Sequence, residues 1–286
     1  MDIHLLSVPY DTARREERMG AGPGHLLSSG VTERLTAIGY RVSVEEIALD
    51  DSSTLAEIAT AFELQRGVAA GVRHAVAVGA FPIVLSGNCN MAALGTLAGL
   101  SARNVGVLWF DAHGDFNTPE TTIGGFLDGM ALAMATGRCW RELLTRLPGF
   151  EPVPEANVIL LGARDLDPLE ASLLAESGVS VLRPADVRST TEQALERLGQ
   201  RVSDVYVHLD LDVLDPAAHG RVNRFAAPDG LTVEEVASVI RLAAQRSRIR
   251  GAALTAYDPA FDVDGRVCDA ALALLEMLAA VAGTSA

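Results

Sequence analysis

Apolar residues follow two rhythms along this chain. Short runs rich in Val, Ile and Leu alternate with longer stretches where apolar residues return every three or four positions. The first rhythm predicts strands and the second predicts amphipathic helices. "DIHLLSVPY" (2–10) predicts a strand. "GAGPGHLLSSGVTERLTAIGY" (20–40) predicts a glycine-rich loop and one helix ending near Gly39. "RVSVEEIAL" (41–49) alternates as a strand. "STLAEIATAFELQRGVAAGVRHAVAVG" (53–79) predicts a helix with a Ser/Thr N-cap. "FPIVLSG" (81–87) and "VGVLWFDAH" (105–113) predict strands on either side of a helix in "NMAALGTLAGL" (90–100).

The second half keeps the rhythm. Strands are predicted in "NVILLGARD" (157–165), "DVYVHLDLDVLDP" (204–216) and "IRGAALTAYDP" (249–259). "VSVLRPADV" (179–187) predicts a strand followed by a loop. Helices are predicted in "PLEASLLAESG" (168–178), "TTEQALERLGQR" (190–201), "TVEEVASVIRLAAQ" (232–245) and "AALALLEMLAAVAG" (270–283). Thr232 and Glu235 have capping-box spacing. Alternation of apolar strands with helices predicts an α/β fold, a mostly parallel sheet of about eight strands covered on both faces. No linker, repeat or low-complexity tract divides residues 1–286, so a single domain is expected.

Composition narrows the function. Hydrophobic residues make up 49% of the 286, enough for a large core. The net charge of −14 disfavours nucleic acid and anionic membrane as partners. No apolar run reaches the ~18 residues of a membrane span. Three cysteines, Cys89, Cys139 and Cys268, do not describe a disulfide framework, and a cytoplasmic location is expected.

Ligands in such a sheet bind beyond the C-terminal ends of the strands. Four polar clusters fall there: Asn88–Asn90, Asp111–Asp115, Arg164–Asp167 and Asp210–Asp215. Asp111, His113 and Asp115 lie at every second position, and so do Asp210 and Asp212. On extended chain each set faces one side. So many adjacent carboxylates repel one another and take up protons unless a cation neutralises them. Oxygen ligands with an imidazole suit Mn²⁺, Mg²⁺ or Zn²⁺.

Several ordered blocks of the chain resemble the arginase/agmatinase family of ureohydrolases from end to end. They are "MGAGPGHLL" (19–27), "DAHGDFNTPETT" (111–122), "GARDLDP" (162–168), "HLDLDVLDP" (208–216) and "APDGLTVEE" (227–235). The resemblance implies a three-layer α/β/α fold and a trimer or hexamer. It also implies two Mn²⁺ ions that generate hydroxide for attack on a guanidinium carbon. It places Asp111 and Asp210 as bridging ligands, Asp115 at the first metal, and His113 and Asp212 at the second. Asp215 becomes a group that orients the hydroxide or moves protons. Asn117, Asp165 and Asp167 become substrate-binding residues, with a turn-stabilising Arg164–Asp165 pair as the alternative.

Three departures bear on the substrate and the metal. Cys89 stands where the family has a histidine ligand. A thiolate ligand favours Zn²⁺ or Fe²⁺. A plain buried thiol and a nucleophile are the other readings of Cys89. Asp128 holds the place of the family's proton-shuttling histidine. It could move protons, bind a cationic substrate or be structural. Ala256 holds the place of the glutamate that clamps the guanidinium, which argues against ordinary L-arginine and leaves Asp258 or Asp262 to compensate. The block "HGDFNTPETT" with "GFLDGM" and a cysteine for the histidine is similar to an atypical branch that includes Nω-hydroxy-L-arginine hydrolase. His208 could be a replacement ligand or a donor to one. His4, His25, His74 and His219 lack ligand spacing. The expected activity is metal-dependent hydrolysis of a non-peptide C–N bond in a guanidino, amidino or related small molecule. A non-catalytic, ligand-binding or regulatory member of the fold is the alternative.

Overall fold

The apolar runs become the strands of one sheet. The computed structural model describes residues 1–49, 56–101 and 104–282. Its strands are β1 (Asp2–Val8), β2 (Tyr10–Asp11), β3 (Arg14–Arg15), β4 (Arg41–Glu46), β5 (Ala80–Ser86), β6 (Gly106–Phe110), β7 (Val158–Leu161), β8 (Ser180–Leu182), β9 (Asp204–Asp210) and β10 (Arg248–Thr255). Eight of them form an all-parallel sheet in the order β4-β1-β5-β10-β9-β6-β7-β8. β2 and β3 pair as a separate antiparallel ribbon.

Alternation along the strands builds two cores. In β6, Leu108 and Phe110 join one buried apolar cluster, and Val107 and Trp109 join the other. In β1, Ile3 and Leu5 face the first cluster, and Leu6 and Val8 face the second. Helices cover both faces, the arrangement an all-parallel sheet requires. The edge strand β4 is mostly exposed, and its alternation is correspondingly weak.

Most predicted helices form. The longest, Glu57–Ala77, has Ala56 at its N-cap position, and the predicted caps Ser53 and Thr54 lie outside the described residues. The capping box of helix Val233–Ala244 is present in both directions between Thr232 and Glu235. Two expectations need correction. The first helix is two, Gly22–Ser28 and Val31–Ala37, because Gly30 at φ 90° turns the chain between them. The loop expected after β8 is helix from Pro184 onward, in Pro184–Gly199, with proline at the position that tolerates it best.

All eight parallel strands end on one edge of the sheet. The chain segments after β5, β6, β9 and β10, far apart in sequence, therefore meet there. Gly87 fixes one of these segments closely. A Cβ at this position would stand 2.2 Å from the Tyr10 carbonyl oxygen and 2.7 Å from the Gly20 nitrogen. Gly87→Ala must push Asn88 and Cys89 away from the loop after β1. We expect it to destabilise the fold by about 1–3 kcal/mol, as overpacking does. Urea unfolding against wild type measures this.

Candidate metal centre

The two acidic clusters sit where β6 and β9 end, but neither is a simple extension of its strand. β6 stops at Phe110, and Asp115 adopts φ 48°. β9 stops at Asp210, and Leu211–Val213 forms a 3₁₀ turn in which the Asp212 N–H donates to Asp210 Oδ1 at 2.8 Å. The turn, rather than strand alternation, brings Asp212 to the site. Arg164 holds this turn from below. Its guanidinium donates to the carbonyls of Asp212 at 2.9 Å, Ala227 at 2.9 Å and Pro228 at 2.7 Å. It does not pair with Asp165, whose carboxylate stays largely exposed and 4.0 Å from His113 Nε2.

Two sets of ligand atoms converge among the described residues. One is Cys89, Asp111 and Asp210, and the other is Asp111, His113 and Asp212. Asp111 belongs to both. Cys89 Sγ lies 3.1 Å from Asp210 Oδ2 and 3.1 Å from Thr255 Oγ1. His113 Nδ1 lies 3.3 Å from both Asp111 Oδ1 and Asp212 Oδ2. Asp115 stands beside these sets, with Oδ2 buried and without a partner.

The electrostatics ask for a cation. Burial, then the neighbouring carboxylates, push Asp115 and Asp210 far above the usual carboxylate range. Burial and Asp210 do the same to the Cys89 thiol. Burial alone would lower His113, but Asp212 and Asp111 hold its proton firmly. Asp212, with that imidazolium beside it, stays ionised despite burial, down to about 2. A divalent ion would relieve this crowding of like charge, and the orphan oxygen of Asp115 is one more acceptor for it. The residues fit a metal.

A cavity of about 310 Å³ opens above these ligands. Asp128, Asn117, Asp165 and Asp167 all line it. Asp128 accepts hydrogen bonds from Asn88 Nδ2 at 2.8 Å and the Asn90 N–H at 2.9 Å, and burial lifts it to about 7. Asn117 donates to Asp167 Oδ2 at 3.1 Å and accepts from Thr121 Oγ1 at 3.0 Å. Ala256 lines the floor at φ 66°, so no side-chain charge faces the substrate space from that strand end.

Three expected residues do not join. Asp215 caps the helix Pro216–His219 through the Ala217 N–H and does not line the cavity. Asp262 accepts from Tyr257 Oη and the N–H groups of Val267 and Cys268, at the start of the last helix. His208 points into the core. Its ring stacks on Trp109 with centroids 3.7 Å apart, and Nδ1 meets Tyr206 Oη at 2.8 Å. Burial keeps it neutral, down to about 3.

The cavity also recruits residues the sequence does not single out: Glu170, Phe126, Asn223 and Phe225. Two of them leave a signal, Phe126 inside the block "GFLDGM" and Glu170 as the partner of Asp167 in a capping box. The Glu170 carboxylate accepts from the Phe116 N–H at 2.9 Å and the Asp167 N–H at 3.3 Å, tying the metal loop to helix Pro168–Ala175. Burial lifts it from 4.5 to about 7 against those two donors. The folded protein thus keeps this proton where the unfolded chain has lost it. The resulting stability is full below about pH 4.5 and disappears as pH rises through about 7. We expect metal-free Glu170→Gln to lack this fall, about 3 kcal/mol in urea unfolding compared between acid and neutral pH.

The profile of the Arginase family matches residues 1–280. The chain belongs to the arginase family. Arginase from Bacillus caldovelox is 30% identical over 96% of this chain and 97% of its own. The crystal structure of arginase from Bacillus cereus superposes with TM-score 0.87 at 30% identity, covering 100% of this chain and 99% of that one. Formimidoylglutamase from Bacillus subtilis shares the fold, with TM-score 0.77 at 18% identity over 100% of this chain and 89% of that one. This arginase-family protein is a metal-dependent hydrolase of the ureohydrolase type, with the three-layer α/β/α fold expected of it.

Proposed function

We propose that this enzyme hydrolyses a C–N bond in a small guanidino or amidino compound, as a single arginase-like unit over residues 1–286. The observation that carries the reading is Asp111 shared between two ligand sets whose members His113, Asp210 and Asp212 line one cavity. In this reading Asp111 and Asp210 would serve as ligands to metal in both sites. Cys89 and Asp115 complete the first site, and His113 and Asp212 the second. Mn²⁺ fits the oxygen-rich second site, while the Cys89 sulfur favours Zn²⁺ or Fe²⁺ in the first. Such ions, when bound, make water acidic enough to serve as the nucleophile at neutral pH.

The chain's own groups do the rest. Asp128, held by Asn88 and Asn90 and lifted to about 7, is placed to pass a proton to the departing amine. Asn117 and Asp167, hydrogen-bonded to each other, and Asp165 offer polar contacts to the rest of the substrate. Asp215, committed to its helix cap, takes no part in this scheme. A homo-oligomer in the cytoplasm, with neither nucleic acid nor membrane as partner, completes the proposal. No described helix is long and apolar enough to cross a membrane.

Reconstitution with Mn²⁺, Zn²⁺ and Fe²⁺ followed by metal analysis tests the reading. Bound metal, with urea or ammonia released from L-arginine, Nω-hydroxy-L-arginine or a simple amidine, is expected. The relatives' name puts L-arginine in the panel, and Ala256 predicts that it is used poorly. Protein that retains none of the three metals overturns the proposal and favours a non-catalytic ligand-binding role.

A further inference from the structure

A second, much smaller pocket adjoins the main cavity. The two share Met19, Phe126, Asn223 and Phe225 as a common wall. Its volume is about 10 Å³, room for one water-sized group. Its charged lining is two carboxylates, Asp11 and Asp258, and two guanidiniums, Arg18 and Arg224, while the Asn223 amide is committed to the Ala256 carbonyl and the Phe225 N–H.

These four charges are not equally committed. Asp11 is 2% exposed, and its Oδ2 meets Arg18 Nε at 3.0 Å. Its other oxygen, Oδ1, is buried and has no partner. An orphaned buried carboxylate oxygen costs free energy that a donor would recover. Asp258 is 6% exposed, and one oxygen accepts the Ala260 N–H at 3.0 Å. Arg18 is held by Asp11 and by Thr12 Oγ1. Arg224 lies over the Phe225 ring, its guanidinium carbon 4.4 Å from the centroid. The one buried polar side-chain atom of this pocket left without a hydrogen-bond partner among the described residues is thus an acceptor, Asp11 Oδ1.

We infer that this pocket is a subsite for a primary ammonium group, which fills it with Asp11 and Asp258 as acceptors. An ammonium has three donors on one water-sized centre, and a planar guanidinium is too wide for the space. Asn223 of the shared wall donates to the carbonyl of Ala256, whose methyl in the main cavity offers a cation nothing. Asp258 stands two residues further along the same chain segment. The natural ligand is a substrate whose scissile C–N bond lies over the metal ligands and whose amino end reaches past Met19 and Phe225. This substrate class rests on the hydrolase reading proposed above, whereas the ammonium subsite itself does not.

The metal-loaded full chain, titrated with methylammonium chloride at constant ionic strength and followed by calorimetry, tests the subsite. Saturable binding is expected, with guanidinium and tetramethylammonium at least about tenfold weaker. Asp258→Asn should weaken methylammonium about tenfold, the loss of one charge-assisted contact. Equal binding of the three cations by wild type, or no binding at all, overturns the inference without any variant. Methylammonium bound equally by wild type and a folded Asp258→Asn overturns it as well. Protein that selects methylammonium but retains no metal sinks the hydrolase proposal and leaves the subsite standing. Turnover without cation selectivity does the reverse.

Discussion

Asp111→Asn should lose metal and activity together. Asp111 is the one residue common to both ligand sets, so its amide weakens both sites at once. Its position is also fixed by three donors. Oδ1 accepts the His113 N–H at 2.7 Å, Oδ2 accepts Trp109 Nε1–H at 3.1 Å, and His113 Nδ1 lies 3.3 Å away. Groups that merely orient a ligand are worth about 10–100-fold in metal affinity. Removing a shared ligand's charge must exceed that, so a loss above about 100-fold is expected in both affinity and turnover. Asparagine keeps the shape of the side chain and relieves repulsion among buried carboxylates. Its amide nitrogen, however, replaces one accepting oxygen with a donor that faces Trp109 Nε1–H or the His113 N–H, so the metal-free variant should be less stable than wild type by about 1–3 kcal/mol. Metal analysis, kcat and urea unfolding on the same sample separate the two effects. Retention of metal by Asp111→Asn would remove Asp111 from the bridging role.

Ala256→Glu should do the opposite and improve the use of guanidinium substrates. The alanine lines the cavity floor and is buried, and its backbone is held at φ 66° with its carbonyl accepting from Asn223 Nδ2 at 2.8 Å. The left-handed conformation already carries the penalty of a Cβ, so a longer side chain adds little backbone strain. The new carboxylate extends into open cavity rather than into core. A hydrogen bond to a charged group is worth about 1.5–3 kcal/mol, which corresponds to about ten- to hundredfold in kcat/KM. L-Arginine kinetics on wild type and variant measure it. No gain in kcat/KM would mean that the alanine is not what limits guanidinium recognition.

The sheet was legible because its strands are apolar on both faces, and each stands out between helical stretches. Helix Ala131–Ala135 was not, since "ALAMA" is buried on every side and presents no stripe. Helix Arg141–Leu144 is too short to show a period. The metal ligands could be read because they come in two dense clusters. Asn223 and Phe225 could not, because they are isolated residues on loops. Their meeting depends on β9 and β10 inserting between β5 and β6, which only the folded order reveals. His208 shows the limit of spacing arguments. Two residues before Asp210, it shares the ligands' periodicity, yet the apolar bulk of Trp109 and Tyr206 holds it in the core.

The Trp109 stack also makes the protein its own optical reporter. The chain has two tryptophans, Trp109 and Trp140. Trp109 is wholly shielded from solvent, lies against a neutral imidazole and donates its indole proton to Asp111. A cation drawing charge from that carboxylate alters the field on the indole directly. Emission from Trp109, isolated in a Trp140→Phe background, thus becomes a continuous readout of metal loading in solution, free of any added dye or coupled assay.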